Sequence, residues 1–217
     1  MVHIHKLENY PIAEPQRVKK YLFIWCEAGK CDILVDHKLL TVQGKEVLTI
    51  TSGQYHQFKE INGARGFVLD FTLDFICKTE KDIELIFQNS LFCHFDYNEV
   101  FSIPESAANA IQQHLEIIKK ELDEKPFQYL ESVHSLIELL LIEDNRAKIS
   151  GGGEIWRPEA LFLRFLELVR NSFDRHPSLE EIAAELHTTT AKLNEQAKLH
   201  AGKTAQNVIH GLIISEA

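Results

Sequence analysis

The most constraining stretch of this chain runs from Pro177 to Gly202, PSLEEIAAELHTTTAKLNEQAKLHAG. Ser178 followed by Glu181 is the pattern of a capping box, in which the serine oxygen accepts an early helical N–H while the glutamate accepts the cap's own N–H. A helix is predicted to start there. Leu179, Ile182, Ala183 and Leu186 then fall at i, i+3, i+4 and i+7, an apolar stripe of about two turns. His187 and Thr188 break the stripe. Thr189 is placed to cap a second helix that turns Leu193 and Ala197 inward, and Gly202 is placed to end it in a left-handed conformation. Two short helices across a tight turn make either a helix-turn-helix or an ordinary αα-hairpin in a bundle.

Particular residues of the tail separate these readings. LEEIAAELHTTTAKLNEQAKLHAGKTAQNVIHGLIISEA resembles the first helix-turn-helix and the connecting helix of AraC-type transcription regulators. The matching positions are Ile182, Ala183, Leu186, Thr189, Leu193, Asn194, Lys198, Gly202, Lys203, Thr204, Ile209, Ile213, Glu216 and Ala217, spread over about 40 residues. The resemblance implies a DNA-binding regulator. It also implies a second helix-turn-helix beyond the connecting helix, whereas this sequence stops at Ala217, inside what resembles that helix. The expectation is therefore a chain truncated after the first unit, either cut from a longer regulator or a natural relic.

With Thr189 as cap, Ala191, Asn194, Glu195 and Lys198 share the outward side of the second helix, the side that enters a major groove in this motif. Asn194 has the chemistry to bond adenine N6 and N7, and Glu195 to accept from cytosine N4. Thr188, Thr190, Lys198 and Lys203 suit phosphate oxygens, which position without specifying. Glu195 departs from the arginine common in the family and repels phosphates, so a solvated polar face is the competing reading. Charge points the same way. The chain carries a net −9, and residues 158–217 hold six Lys/Arg against eight Asp/Glu, so tight DNA binding by this chain alone is not expected.

The N-terminal half reads differently. From Tyr21 to Phe58, short apolar runs (YLFIWCE, CDILV, LLTV, EVLTIT) alternate with turns at Ala28–Lys30, Asp36–Lys38, Gln43–Lys45 and Ser52–Gly53, and GFVLDF adds a further strand. Strands at about eight-residue spacing predict an antiparallel sandwich or barrel. This order of hairpins, ending in Gly53, Gln54, Tyr55 and His56, is similar to the cupin-type sensor domain that precedes the helices of AraC-type regulators. The whole is then α+β: a cupin-like barrel with a helical hairpin, followed by an all-α unit. The resemblance implies a small-molecule site in the barrel, with lining drawn from Phe23, Trp25, Leu48, Ile50, His56, Phe58 and Phe67. Both parities of YLFIWCE are apolar, so whether Phe23 and Trp25 or Ile24 and Cys26 face inward is open at this stage, as is a simple filled core.

Cupin enzymes hold a metal through an H-x-H with a glutamate plus a later histidine. His56 after Gly53 resembles only the last element, because Tyr21–Val35 contains no histidine. No metal, cofactor or catalytic set is expected, and a metal-dependent cupin enzyme stands as the competing class, beside a dimeric binding module without DNA. His3 and His5 form an H-x-H without a third partner, in an N-terminal arm with room for one edge strand. Cys26, Cys31, Cys77 and Cys93 lie among apolar neighbours without a C-x-x-C pair and read as buried, reduced thiols.

Residues 72–104 have no clear period. Phe75, Phe87, Phe92, Phe95 and Phe101 recur irregularly, Asp82–Phe87 suits a helical turn or a loop, and His94 with Asp96 carries no assigned chemistry. Glu105–Glu124 has a 3.6-residue stripe (Ala107, Ala108, Ile111, Leu115, Ile118, Leu122), Pro126 breaks it, and Phe127–Arg146 supplies a second (Leu130, Val133, Leu136, Ile137, Leu140, Leu141). Two such helices pack antiparallel. LIELLLI is apolar on more than one side; the resemblance implies that this excess makes a homodimer contact, and packing against both the barrel and the next helix is the competing reading. The expected domains are 1–104, 105–148, a linker at 149–157 containing SGGG, and 158–217, beginning with a helix from Pro158 to Asp174. The N-terminus lacks a secretory signal and no run approaches a membrane span, so the chain is read as cytoplasmic.

Overall fold

The computed structural model describes residues 1–18, 20–36, 38–51, 54–76, 78, 92, 100–150, 160–172 and 175–216, with the backbone alone at 17, 73, 160, 163, 167, 170, 171 and 213–216. The expectations for Ser52 and Gly53, Cys77, Asp82–Phe87, Cys93, His94, Phe95 and Asp96, residues 151–158, Phe173, Asp174 and Ala217 lie outside the described residues. The chain divides into two compact units, with described residues up to 150 in the first and 160–216 in the second.

The first unit is built on strands β1 (Val2–Lys6), β2 (Gln16–Arg17), β3 (Tyr21–Val35), β4 (Lys38–Gln43), β5 (Glu46–Ile50), β6 (Tyr55–Phe71) and β7 (Val100–Ser102). All pair antiparallel in one sheet of order β1-β6-β3-β5-β7, with β2 on β6 and β4 on β3. The architecture is the expected α+β one. Among the described residues the hydrogen-bond ladder stays open between β1 and β7 rather than closing into a barrel.

Two long strands carry the shape. β3 and β6 pair along nearly their whole length, but the register shifts around Ala28 to Lys30, where Gly29 (φ +75°) meets Gly63 (φ +61°). A bulge of this kind bends both strands and resets the side-chain alternation. Leu22, Ile24 and Cys26 before it, and Cys31, Ile33 and Val35 after it, therefore bury into one cluster although five residues separate Cys26 from Cys31. Without the irregularity their parities would oppose. The same sheet face supplies Leu48, Ile50, Phe58 and Val68 to this inner cluster.

The other face is also apolar. Tyr21, Phe23, Trp25, Val47, Phe67, Leu69 and Phe71 are buried there, in register with one another across β3, β5 and β6. Against it lies α2 (Glu105–Glu124), following the short α1 (Leu73–Ile76), and Trp25 Nε1 donates to Gln112 Oε1 of α2 at 2.8 Å. Both parities of YLFIWCE are apolar because both faces of β3 are covered.

α2 buries Ala108, Ile111, Leu115 and Ile118, the predicted stripe, and ends where Lys125 turns left-handed with its N–H on Glu121 O. Its antiparallel partner α3 runs from Tyr129 to Ser150. It starts two residues later than expected, because Gln128 also adopts a positive φ and Phe127 is left 92% exposed. It also continues four residues past Arg146, so Ile149 and Ser150 are helical rather than linker.

The second unit comprises α4 (Ala160–Asn171), α5 (Leu179–Glu185), α6 (Thr190–Ala201) and α7 (Ala205–Glu216). Phe162, Phe165, Leu166 and Val169 of α4 pack with Leu179, Ile182, Ala183, Leu186, Leu193, Ala197, Val208, Ile209 and Leu212 in one core. Each such side chain removed from water contributes roughly 1.5–3 kcal/mol for Val, Leu, Ile or Phe.

Candidate ligand and nucleic-acid sites

The seven residues expected to line a ligand site fall on two faces. Leu48, Ile50 and Phe58 belong to the inner cluster, and His56 joins them, since it stands two residues from Phe58 on β6 and opposite Val35 on β3. Phe23, Trp25 and Phe67 lie on the face against α2, and Lys6 Nζ sits 3.9 Å from the Phe67 ring centroid. One continuous pocket cannot be lined by all seven. The inward members of the YLFIWCE run are Ile24 and Cys26.

His56 is 4% exposed and its Nδ1 is buried with no hydrogen-bond partner. Burial holds the imidazole below its usual range, opposed by a hydrogen bond to the Gln54 backbone. Beside it, Tyr10 packs on Phe58 with ring centroids 4.4 Å apart, and His5 meets the Tyr10 ring edge-on at 5.8 Å. Burial, aided by the Asp70 charge, pushes the Tyr10 phenol up to about 12. Asp70, 7% exposed, accepts from Lys20 Nζ at 2.7 Å and lies 2.9 Å from His3 Nδ1. Burial likewise pushes the thiols of Cys26 to about 11 and Cys31 to about 12, and both are free and reduced.

Tyr10, Asp70, Lys20 and His3 had no assigned part in the sequence-based site. His3 and Asp70 are 67 residues apart and meet only because β1 pairs with β6. One signal was present: in GFVLDF, Asp70 is in phase with Val68, an inward apolar position, and a carboxylate there requires a partner. Among the described residues, no three His, Cys, Asp or Glu side chains gather closely enough to hold a metal ion.

In the second unit both sides of the predicted capping box form. Glu181 N–H donates to Ser178 Oγ at 3.2 Å and Ser178 N–H to Glu181 Oε2 at 2.7 Å. Thr189 Oγ1 accepts Lys192 N–H at 3.2 Å, opening α6, and Gly202 at φ +63° closes it with its N–H on Lys198 O. The tight turn between α5 and α6 uses His187 at φ +52° and a Thr188 N–H bond to Ala183 O.

Of the residues expected to face DNA, Ala191, Glu195 and Lys198 form an exposed stripe at i, i+4, i+7 on α6, and Lys203 is exposed just beyond it. Thr188 and Thr190 are half-buried. Glu195 pairs with Lys192 at 3.2 Å, an exposed contact of little energetic weight. Asn194 is placed otherwise than on a free outward face. Its Nδ2 donates to Thr190 O at 3.0 Å and its Oδ1 accepts Ala205 N–H at 2.9 Å, so both ends of the amide are held within the unit. Reading a base with Asn194 would require giving up both bonds.

No protein-family model matches this chain, and no curated protein matches it. Solved structures do. A crystal structure of unsaturated fatty acid bound ToxT from Vibrio cholerae covers 98% of this chain and 77% of its own at 11% identity and a TM-score of 0.53. A structure of an apo ToxT variant covers 98% and 79% at 10% identity and a TM-score of 0.54. The AraC-like transcriptional activator CuxR covers 90% of this chain at 10% identity, with a TM-score of 0.42, too loose to carry weight. The chain spans 66% of CuxR and 77 to 80% of the ToxT chains. At this identity the likeness establishes the fold alone, the one shared with the ToxT chains.

Proposed function

We propose, starting from that fold, that this chain is the sensor and first DNA-contacting part of a ligand-responsive, DNA-binding transcription regulator of AraC type, acting in the cytoplasm as a homodimer. The observation that carries the reading is the pair α5–α6, capped at Ser178 and Thr189, with Ala191, Glu195 and Lys198 in one exposed stripe. The proposed organisation is a sensor over 1–104, a hairpin over 105–150 and a helix-turn-helix subdomain over 158–217, joined by 151–157. The likeness to a fatty-acid-bound protein supports a small molecule with an apolar body as the effector, whatever its polar end. Exposed Ile117, Leu130 and Leu139 on α2 and α3 favour the hairpin as the contact between two copies. Regulation would then consist of an effector that binds one arrangement of sensor and helical unit more tightly than another.

DNA binding by this chain alone would be weak and nonspecific, since an acidic protein that offers Lys198 and Lys203 on this face neutralises few phosphates. Fluorescence anisotropy with a duplex at several salt concentrations tests this. Expected is binding only at low salt, weakened uniformly across sequences by Lys198→Ala with Lys203→Ala. Binding that ignores both substitutions would rule out this surface. Net charge and Glu195 favour a second reading, a dimeric small-molecule-binding module without DNA. No binding at ~20 mM salt with intact dimers in sedimentation would support it.

A further inference from the structure

We propose that the inner face of the sheet around His56 takes an uncharged small molecule through an O–H or N–H donor bonded to His56 Nδ1. This rests on the reading of that face as the effector site and names the chemistry the site selects. The imidazole is built into the wall, opposite Val35 and two residues from Phe58, and almost wholly removed from water, yet Nδ1 has no partner. A buried nitrogen left unpaired carries the full cost of its lost hydration, which a matching donor would recover.

The tautomer follows from the other ring nitrogen. The Gln54 backbone group favours the protonated ring, which is the behaviour of a carbonyl accepting a ring N–H. With Nδ1 unpartnered, that N–H is on Nε2, and Nδ1 is left as a buried lone pair. It accepts and cannot donate. Burial keeps the ring neutral, so it offers no counter-charge to an anion.

The neighbours act in the same direction. Two carboxylates oppose a further negative charge at this end of the sheet: Asp36, whose oxygens accept from Gln54 Nε2 at 3.0 Å and from Tyr55 N–H at 3.1 Å just before His56, and Asp70, whose charge reaches Tyr10 and which already holds the ammonium of Lys20. Ile33, Val35 and Phe58 supply apolar surface, with Tyr10 stacked on Phe58. Tyr10 is half-buried and His5 beside it is exposed, so this end of the inner face is where a molecule would enter from solvent. An aromatic or aliphatic alcohol, phenol or lactam fits this set; a carboxylate does not.

The test uses three probes of one shape on the full chain, followed by nitrogen-15 NMR of labelled histidine and by calorimetry: phenol (donor), anisole (no donor) and benzoate (anion). Expected is saturable phenol binding that shifts the His56 Nδ1 resonance, with anisole and benzoate at least tenfold weaker. His56→Leu should reduce phenol binding at least tenfold. Should that variant unfold, the Nδ1 shift in the unmodified chain still decides. Anisole binding as well as phenol, or benzoate binding better, would overturn the donor assignment while leaving the face a ligand site. No saturable binding by any of the three would overturn the site itself.

Discussion

Asn194 Oδ1 accepts the Ala205 N–H at 2.9 Å, tying the middle of α6 to the first residue of α7 across the Gly202 turn. The same side chain donates to Thr190 O at 3.0 Å. An amide with an acceptor and a donor on one group does both; few other side chains can.

Asn194→Ala should therefore destabilise the second unit by about 1–2 kcal/mol, the range for losing a helix cap and leaving its N–H buried. Asn194→Asp keeps the acceptor and adds a negative charge beside the start of α7, so it should retain most of the stability. Urea unfolding of the three proteins distinguishes them. If Asn194→Ala leaves the midpoint unchanged, the clamp is dispensable.

Ser178→Ala removes one half of the capping box and should cost about 1 kcal/mol. Glu181 is held below the usual carboxylate range by its hydrogen bonds to the Ser178 backbone and side chain. A depressed folded-state value means the contribution is present above the unfolded value and lost as pH falls through the folded one. In urea unfolding Glu181→Gln should thus be less stable than the unmodified chain at pH 7, with the gap closing as pH falls into the acid range. Equal stability of the two at pH 7 would show that the Glu181 carboxylate contributes nothing.

Asp144 on α3 is fully buried, neither oxygen has a hydrogen-bond partner, and burial raises its carboxyl well above the usual value, with only Lys148 pulling it down. For a raised acid, the penalty is absent below the unfolded value of 3.8 and grows as pH rises, because folding must then take up a proton. Asp144→Leu should stabilise the first unit by at least about 1 kcal/mol at pH 8 and by less at pH 4. Guanidinium unfolding at both pH values checks the sign. An equal or reversed difference would mean that the carboxyl is satisfied in solution.

Gly66 and Gly63 make a matched pair on β6. A Cβ on Gly66, at φ +151°, would stand 2.0 Å from Trp25 O, whereas a Cβ on Gly63, at φ +61°, meets nothing within 4 Å. Gly66→Ala should cost roughly 3 kcal/mol or more, seen as lost soluble protein or a large fall in Tm. Gly63→Ala should cost only the left-handed strain, about 1–2 kcal/mol. Comparable losses in the two variants would contradict the close approach of β6 to β3.

What could be read from residues alone was local. The capping box at Ser178, the cap at Thr189, the stop at Gly202 and the stripe Ala108–Ile111–Leu115–Ile118 all follow from spacing within one or two turns, where the covalent chain dictates which groups meet. So did the α+β order of strands before helices.

Tertiary structure decided what depends on distant partners. Which side of β3 faces the inner cluster was undetermined while both parities were apolar, and the bulge at Gly29 and Gly63 then resets that parity midway along the strand. The Asp70–His3–Lys20 group exists because strands far apart in the chain are held together, and the Asn194 clamp because α7 folds back on α6 across the Gly202 turn. No spacing rule encodes those contacts, since their register is set by the summed packing of two elements rather than by the turn of either one.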